Sequence, residues 1–473
     1  MARRIDRSAG IDPQRVLARN APVTSLVKTI LWFRQDLRLA DNPAFAEAAR
    51  RGDVVPVFIL DEVTPGIRAW GGASRWWLHH SLDALHAQLG GLVLRRGDPA
   101  AILPELAKET GADAVYWNRL YDPGGVKRDA AIKSDLAARG IEARSFNAAL
   151  LQEPWEVRTG ADGPYKVFTP FWRAARALPV APPVRAAKFA LADLPDSEAL
   201  ASWGLLPQRP DWARGWDTIW TPGEQGAAKR LNAFLRDGLQ GYAEKRDRPD
   251  VAGTSRLSPH LHWGEVSPRQ IWAAAQSAAA VDPALGRDAE KFLSEIGWRE
   301  FAHHLLFHFP EMASRNWRTN FDAYPWRTSA EDLRAWQRGV TGYPLVDAGM
   351  RELWATGIMQ NRVRMVTASF LIKHLRIDWR EGEKWFWDTL VDADAANNAV
   401  SWQWVAGSGA DAAPYFRIFN PSEQARKFDP DGAYVRKWVP EYGTSAYPAP
   451  IVDHAKARAA ALAGYDLVKG AGG

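Results

Sequence analysis

Five short apolar runs, separated by amphipathic stretches of helical length, constrain the first third of this chain more than any other feature. The runs are ILWF (30–33), VVPVFIL (54–60), LVLRR (92–96), AVYWN (114–118) and IEARSF (141–146). Between them, apolar residues recur at helical spacing around 43–51, 74–89, 99–110 and 125–139. Strands that alternate with helices of this length predict a parallel, doubly wound sheet. Neither G-x-G-x-x-G nor G-x-x-x-x-G-K-[ST] occurs, so neither a Rossmann dinucleotide site nor a P-loop is indicated, and the sheet serves some other purpose.

The pattern changes after the sheet. From 152 to about 222 the chain is proline-rich and poorly periodic, which reads as a long connector wrapping the surface. Helical periodicity then dominates over 224–238, 268–280, 288–307, 329–337, 349–374 and 382–391, predicting an all-helical second domain. The expected organisation is a tail over 1–27, an α/β domain over 28–151, a connector over 152–223 and a larger helical domain over 224–473. The arginine-rich first 27 residues lack the apolar core of a secretory signal, and no apolar run approaches the ~20 residues of a membrane span. There is no cysteine, which removes disulfides, thiolate nucleophiles and the usual structural zinc, and fits a reducing cytoplasm. A net charge of +5 permits a polyanionic partner without demanding one. The 24 tryptophans exceed what packing alone asks for, since each must also place an N–H.

Chemistry concentrates in four stretches. In DADAANNAVSWQWVAGSGADAAPYFR (392–417), Asp392 and Asp394 cannot be buried together without cationic or hydrogen-bonding partners. Asn397 and Asn398 add amides, and Trp402 and Trp404 add flat apolar faces. A polar aromatic heterocycle satisfies this mixture, and so does an Asp/Asn-rich loop joining two helices over packed indoles. TSRLS (254–258) offers hydroxyls and backbone N–H groups beside an arginine, as a phosphate cradle or as a helix-capping turn does. FLSEIGWREFAHHLLFHF (292–309) places Glu295, Trp298 and Arg299 on one exposed helix face. His304 and His308 share metal-ligand spacing, but with no third ligand and with Phe and Leu around them they read as packed or capping residues. In GMRELWATGIMQNRVRMVTASFLIKHL (349–375), Asn361 and Met365 lie one helical turn apart with Arg364 beside them, and Arg362 points elsewhere.

These stretches resemble, in order and across most of the chain, the photolyase and cryptochrome family. WFRQDLRLADN (32–42) and YWNRLYDP (116–123) look like its N-terminal antenna domain, and TSRLS and the 392–417 stretch look like its FAD-binding region. The resemblance implies FAD held by Tyr242, Thr254, Ser255, Leu257, Ser258, Arg299, Arg364, Asp392, Asp394 and Asn398, with Arg364 pairing Asp392 and Asn398 facing flavin N5. It implies that Glu295, Trp298, Asn361, Met365 and Trp404 form the catalytic site at a cavity for extruded bases. Arg362, Trp298 and Trp404 would contact DNA, and Arg246 and Arg417 lie in segments that can border the cavity. Trp402, Trp379 and Trp326 match the family's chain of electron carriers, with Trp385 or Trp387 as an optional branch. Trp76, Trp77, Asn118 and Glu153 are candidate antenna walls, which ordinary packing and strand-end polarity also explain. Ile358, where many relatives carry tryptophan, implies a change of local packing near the flavin.

Enzymes that repair (6-4) photoproducts place histidines at the positions of Gln360, Asn361 and Met365, and this chain has none there. The implied activity is therefore light-driven repair of cyclobutane pyrimidine dimers in DNA by a monomer. The likeness is strongest to the bacterial class III group, which implies a 5,10-methenyltetrahydrofolate antenna, with a deazaflavin as the other option. A cryptochrome photoreceptor that signals without repair is the alternative. Against it stand Asn398 and the absence of a signalling extension after IVDHAKARAAALAGYDLV. A purely sequence-specific nucleic-acid binder has no recognition-helix, zinc-finger or RNA-recognition signature to support it.

Overall fold

The structure, a computed structural model, describes residues 27–412 and 416–470. The tail over 1–26 and the 413–415 segment lie outside the described residues. Its first layer is a five-stranded parallel sheet of β1 (Lys28–Phe33), β2 (Asp53–Leu60), β3 (Val93–Arg96), β4 (Ala114–Asn118) and β5 (Glu142–Phe146), in the order β3-β2-β1-β4-β5. Helices Pro43–Arg51, Gly72–Leu89, Pro99–Thr110 and Pro123–Ala138 make the crossovers. Both faces are buried: along β1, Leu31 and Phe33 join one apolar cluster, and Ile30 and Trp32 join the opposite one. That two-sided burial is why the strands read as continuous apolar runs rather than as an alternation.

The cluster carrying Leu31 and Phe33 also contains Trp76, Trp77, Trp203, Trp216, Trp220 and Trp263, so the sheet is cemented to the rest of the molecule by indoles. The 152–223 segment does more than wrap the surface. It contains the helix Phe168–Ala177, and its Trp216 and Trp220 plug the core, donating to the carbonyls of Ala355 at 2.9 Å and Thr356 at 2.8 Å. Proline-rich text announces irregular backbone but not where its tryptophans go. Gly264 marks a close approach of the two halves. It sits at φ +65°, and a Cβ there would fall 2.1 Å from the carbonyl oxygen of Gln35. Leu37 and Arg38 complete the joint by donating to the carbonyls of Trp263 and Gly264.

The remainder is helical, dominated by Gly286–His308, Pro344–Thr356, Asn361–Ser369, Trp379–Thr389, Ala395–Ala406 and His454–Gly470. The continuous reading over 349–374 is corrected. The chain stops at Thr356, turns through left-handed Gly357 (φ +71°), and restarts at Asn361 with Gln360 capping Val363 N–H at 3.1 Å. A Cβ on Gly357 would meet Trp216 at 2.6 Å and Val391 at 2.7 Å, so the break is fixed by tertiary contact that helical periodicity does not encode. Ile358, just after it, packs into the indole-rich cluster beneath the sheet. Among the described residues no helix is long and apolar enough to cross a membrane.

Candidate active site

The restart at Asn361 turns a short helix so that Arg364 reaches the segment ahead of Ala395–Ala406. Arg364 Nη2 donates to both oxygens of Asp392, at 2.8 and 3.1 Å, and its Nε donates to the carbonyl of Met359 at 2.7 Å. Asp392 is thus a paired buried carboxylate, as burial of such a charge requires. Asn361 and Met365 sit one turn apart, with Asn361 Nδ2 4.0 Å from Met365 Sδ. Arg362 turns the other way, donating to Asp247 at 2.6 Å and lying over the ring of Phe428 at 4.5 Å.

Asp247 links this helix to the next wall. It pairs with Arg246, whose Nη2 donates to Glu295 Oε2 at 2.6 Å, and Gln360 Nε2 donates to the carbonyl of Arg246. Lys291, one turn before Glu295, contacts its other oxygen at 3.0 Å. Tyr242 packs behind the network against Phe234 and Phe292, and burial together with the Glu295 charge pushes its phenol up to about 12. Glu295, Asn361, Arg362, Met365, Arg364, Asp392 and Tyr242, far apart in sequence, therefore share one connected region. Trp298 and Trp404 are half-buried; Trp298 lies flat on Phe168, with centroids 3.7 Å apart and planes within 8°, and Trp404 Nε1 donates to the carbonyl of Asp411 at 3.1 Å.

Asp394 caps the helix Ala395–Ala406, accepting from Asn397 N–H and Asn397 Nδ2, each at 2.7 Å. Burial works against its charged form, yet His303, His262 and Arg299 outweigh it and hold the carboxyl well below the usual carboxylate range. Burial also pushes the His303 imidazole below its ordinary range, while the Asp394 charge works the other way. Asn398 Nδ2 donates to the carbonyl of Glu383 at 3.1 Å and to its carboxylate at 2.8 Å, and Glu383 in turn pairs with Arg68 of the sheet half.

Arg299 and Asp394 also line a cavity of about 590 Å³ between the two halves, whose opposite wall includes Arg34 and Arg119. Those two arginines follow β1 and β4, where the strand order reverses and a doubly wound sheet offers its ligand crevice. None of Trp76, Trp77, Asn118 and Glu153 is among the cavity-lining residues. Trp76 and Trp77 pack on Trp216 and Trp220. Asn118 bonds Asp36 and Asn42, and Glu153 holds Arg119 and Tyr121. His304 accepts from Tyr165 N–H at 3.1 Å, and ring nitrogens of His304 and His308 lie 3.2 and 3.0 Å from the carbonyl of Pro154, the arrangement of packed histidines.

Residues 29–188 match the DNA photolyase domain family, and residues 292–446 match the FAD binding domain of DNA photolyase. The chain is 50% identical over 477 residues to the deoxyribodipyrimidine photo-lyase of Agrobacterium fabrum, covering 93% of this chain and 98% of that one. The chain belongs to the DNA photolyase and cryptochrome family. Its fold superposes on the crystal structure of a bacterial class III photolyase from Agrobacterium tumefaciens with a TM-score of 0.92, at 49% identity, covering 96% of this chain and all of that one. Cryptochrome-1 of Arabidopsis thaliana is 40% identical, over 87% of this chain and 63% of its own length.

The family's FAD-binding domain asks for a diphosphate cradle, and the 254–258 loop has the features of one. Arg256 is held at φ +51°, a conformation that non-glycine residues rarely adopt and that clusters at functional sites. Among the described residues, the backbone N–H groups of Thr254, Ser255 and Arg256 donate to no protein acceptor. Unspent amides in a strained turn suit an anion. The residues present fit this photolyase-family cofactor. Sequence reasoning missed Asp247 and Phe168, which have no motif of their own, Asp411, which lies unremarked near the end of the 392–417 stretch, and the cavity residues Arg34, Arg119, His262 and His303, which come together only when the halves are joined.

Proposed function

We propose that this protein is a deoxyribodipyrimidine photo-lyase that repairs cyclobutane pyrimidine dimers in DNA, acting as a monomer in the cytoplasm. The observation that carries the reading is the connected region of Glu295, Arg246, Arg362, Asn361 and Arg364, bordered by half-buried tryptophans, in a chain half identical to a named photo-lyase.

FAD would be held by the 254–258 loop, Tyr242 and the Arg364–Asp392 pair, with Asp394, Arg299 and Asn398 nearby. When bound, the reduced cofactor supplies the photoexcited electron that opens the cyclobutane ring. The protein's own contribution is position and charge. Trp298 and Trp404 present flat faces on which extruded pyrimidines stack, a contact worth about 1–3 kcal/mol per base. Glu295 hydrogen-bonds the base edges, with Arg246 holding its carboxylate in place. Arg362, held by Asp247 on the border of this region, meets the phosphate backbone. Asn361 and Met365 line the floor. Trp402, Trp379 and Trp326 relay an oxidising hole outward. In support, Trp402 Cη2 would lie 2.1 Å from a Cβ on Gly382, on the helix that Trp379 begins, and Trp326 is half-buried beside Tyr324 at 4.5 Å.

The interdomain cavity is the place for the antenna. Its wall carries the stacked pair Trp70–Trp387, 5.7 Å between centroids, with Arg68 over Trp387, while Arg34 and Arg119 on the same wall are paired with Asp129 and Glu153. The antenna proposed for it is methenyltetrahydrofolate, with a deazaflavin as the other option.

The test is to illuminate reduced protein with a thymine-dimer oligonucleotide and follow the recovery of thymine absorbance. Recovery only in the light is expected. None, with flavin bound, overturns the repair reading in favour of a photoreceptor.

A further inference from the structure

The two indoles that would sandwich the lesion are tied to each other through Asp411, seven residues beyond Trp404 in the same stretch, and Phe168, which lies outside both motifs. Trp404 Nε1 donates to the backbone carbonyl of Asp411 at 3.1 Å. The side chain of the same aspartate accepts from the backbone N–H of Phe168 at 3.1 Å. Phe168 is stacked flat on Trp298, 3.7 Å between centroids and 8° between planes, and Phe301 packs edge-on against both rings.

Each link has a physical reason. Phe168 opens the helix Phe168–Ala177, whose N-cap residue Val167 makes no side-chain cap. The first N–H groups of a helix lack intrahelical acceptors and favour a negative charge, and here Asp411 supplies the acceptor from 243 residues away. Asp411 itself sits at φ +52°. A non-glycine residue in that region costs free energy and persists where its surroundings fix it, often at functional sites. The turn before it is pinned to the end of the tryptophan-bearing helix: Gly407 and Gly409 donate to the carbonyl of Gln403, and a Cβ on Gly409 would meet Trp404 N at 2.9 Å. Asp411 is therefore held rigidly to the Trp404 wall and grips the Phe168 backing of the Trp298 wall.

We propose that Asp411 is a positioning residue that fixes the two aromatic walls relative to one another, with Phe168 as the plate that orients Trp298, so that the gap admits a pair of extruded pyrimidines. The proposal rests on the reading of Trp298 and Trp404 as those walls. Neither Asp411 nor Phe168 touches the reacting atoms. Their contribution is to discrimination: a loosened gap still binds the phosphate backbone but grips the extruded bases less well.

Three variants of the flavin-loaded protein separate the possibilities. Asp411→Gly keeps the left-handed backbone and the carbonyl but removes the carboxylate. Asp411→Asn keeps an acceptor and tolerates the same φ. Phe168→Leu keeps the helix cap and removes the flat face. The measurements are flavin content, affinity for undamaged DNA, affinity for the same oligonucleotide carrying a thymine dimer, and KM and kcat of repair by pre-reduced enzyme.

The expected result is that Asp411→Gly lowers the preference for damaged over undamaged DNA about tenfold, the equivalent of one hydrogen bond to a charged acceptor, through KM, and that Phe168→Leu, which loses the flat backing instead, lowers it in the same way. Undamaged-DNA affinity and flavin content stay unchanged, and Asp411→Asn restores the preference. An unaltered preference in Asp411→Gly, or a loss in Asp411→Asn as large as in Asp411→Gly, overturns the proposal. Trp298→Ala is the control for the reading beneath it. If its preference stays at the wild-type level, the wall assignment has failed; if it falls while Asp411→Gly does not, only the positioning role has failed.

Discussion

Arg364→Met leaves Asp392 as a buried carboxylate without its cation, and the cost follows from the geometry. Two opposite charges about 4 Å apart at an effective dielectric near 20 attract by about 4 kcal/mol. Removing one member of a sealed ion pair costs about 3–5 kcal/mol, because the other is left uncompensated. Here the Asp392 side chain is 4% exposed but that of Arg364 is 25% exposed, so water reaches one side of the pair. The expected loss is therefore about 2–3 kcal/mol, below the sealed limit. Asp392→Asn strands only the better-hydrated partner and costs about 1 kcal/mol. The double variant should be less destabilised than the sum of the singles by about 1–2 kcal/mol, the signature of residues in direct contact. The assay is urea unfolding of all four proteins at one fixed FAD concentration, since a ligand that binds only the native state adds its own free energy to the midpoint. Simple additivity, with Arg364→Met near the wild-type midpoint, would mean that Asp392 is hydrated without Arg364 and would refute the burial argument.

Glu295→Ala should impair dimer repair while flavin content holds; loss of flavin instead would move this helix face from the lesion side to the cofactor side. Trp379→Phe should slow photoreduction of oxidised flavin and spare repair by pre-reduced enzyme, and an equal loss of both would exclude the relay. Glu300 is a separate case, because burial pushes its carboxyl from 4.5 up to about 7 despite the nearby Arg299 charge and the N–H groups of Gln152 and Leu151. The folded protein then holds a proton that the unfolded chain releases near 4.5, so this contribution to stability is complete below that pH and is lost by about pH 7. The span is about 3 kcal/mol. Glu300→Gln should flatten the urea midpoint across that window, and an unchanged slope would show that Glu300 is not the group that titrates.

The sheet was legible almost to the residue because strands buried on both faces leave unbroken apolar runs: AVYWN is β4 as written, and the other four differ by a residue or two at their ends. The break at Gly357 was not legible. The apolar rhythm of 349–374 continues through it, and the cause is an indole from Trp216, more than a hundred residues earlier in the chain. Charge logic demanded a partner for Asp392, and the family resemblance named Arg364, which the structure pairs with it. That logic gave nothing for Asp247 or Asp411, whose distant partners Arg362 and Phe168 are brought up only by the fold. The interdomain cavity was invisible for the same reason: Arg34 reads as a strand-end cation until the fold puts it on the wall of the same cavity as Asp394.

The helix Ala395–Ala406 explains why the most distinctive stretch of the sequence lies where it does. At about 1.5 Å per residue its 12 residues span about 18 Å. Its capping carboxylate, Asp394, faces the cavity at the strand-order reversal, and Asn398, one turn on, reaches Glu383 and through it Arg68 of the sheet half. Trp402 follows on the face packed against Gly382, and Trp404 at the far end meets Asp411 and through it the Trp298 wall. One rigid element thus touches the proposed antenna cavity, the proposed electron path and the proposed lesion walls. A shift of that helix alters all three together, so its residues are constrained on every side, and a polar cap, two amides and two indoles stand where an ordinary helix needs only leucines and alanines.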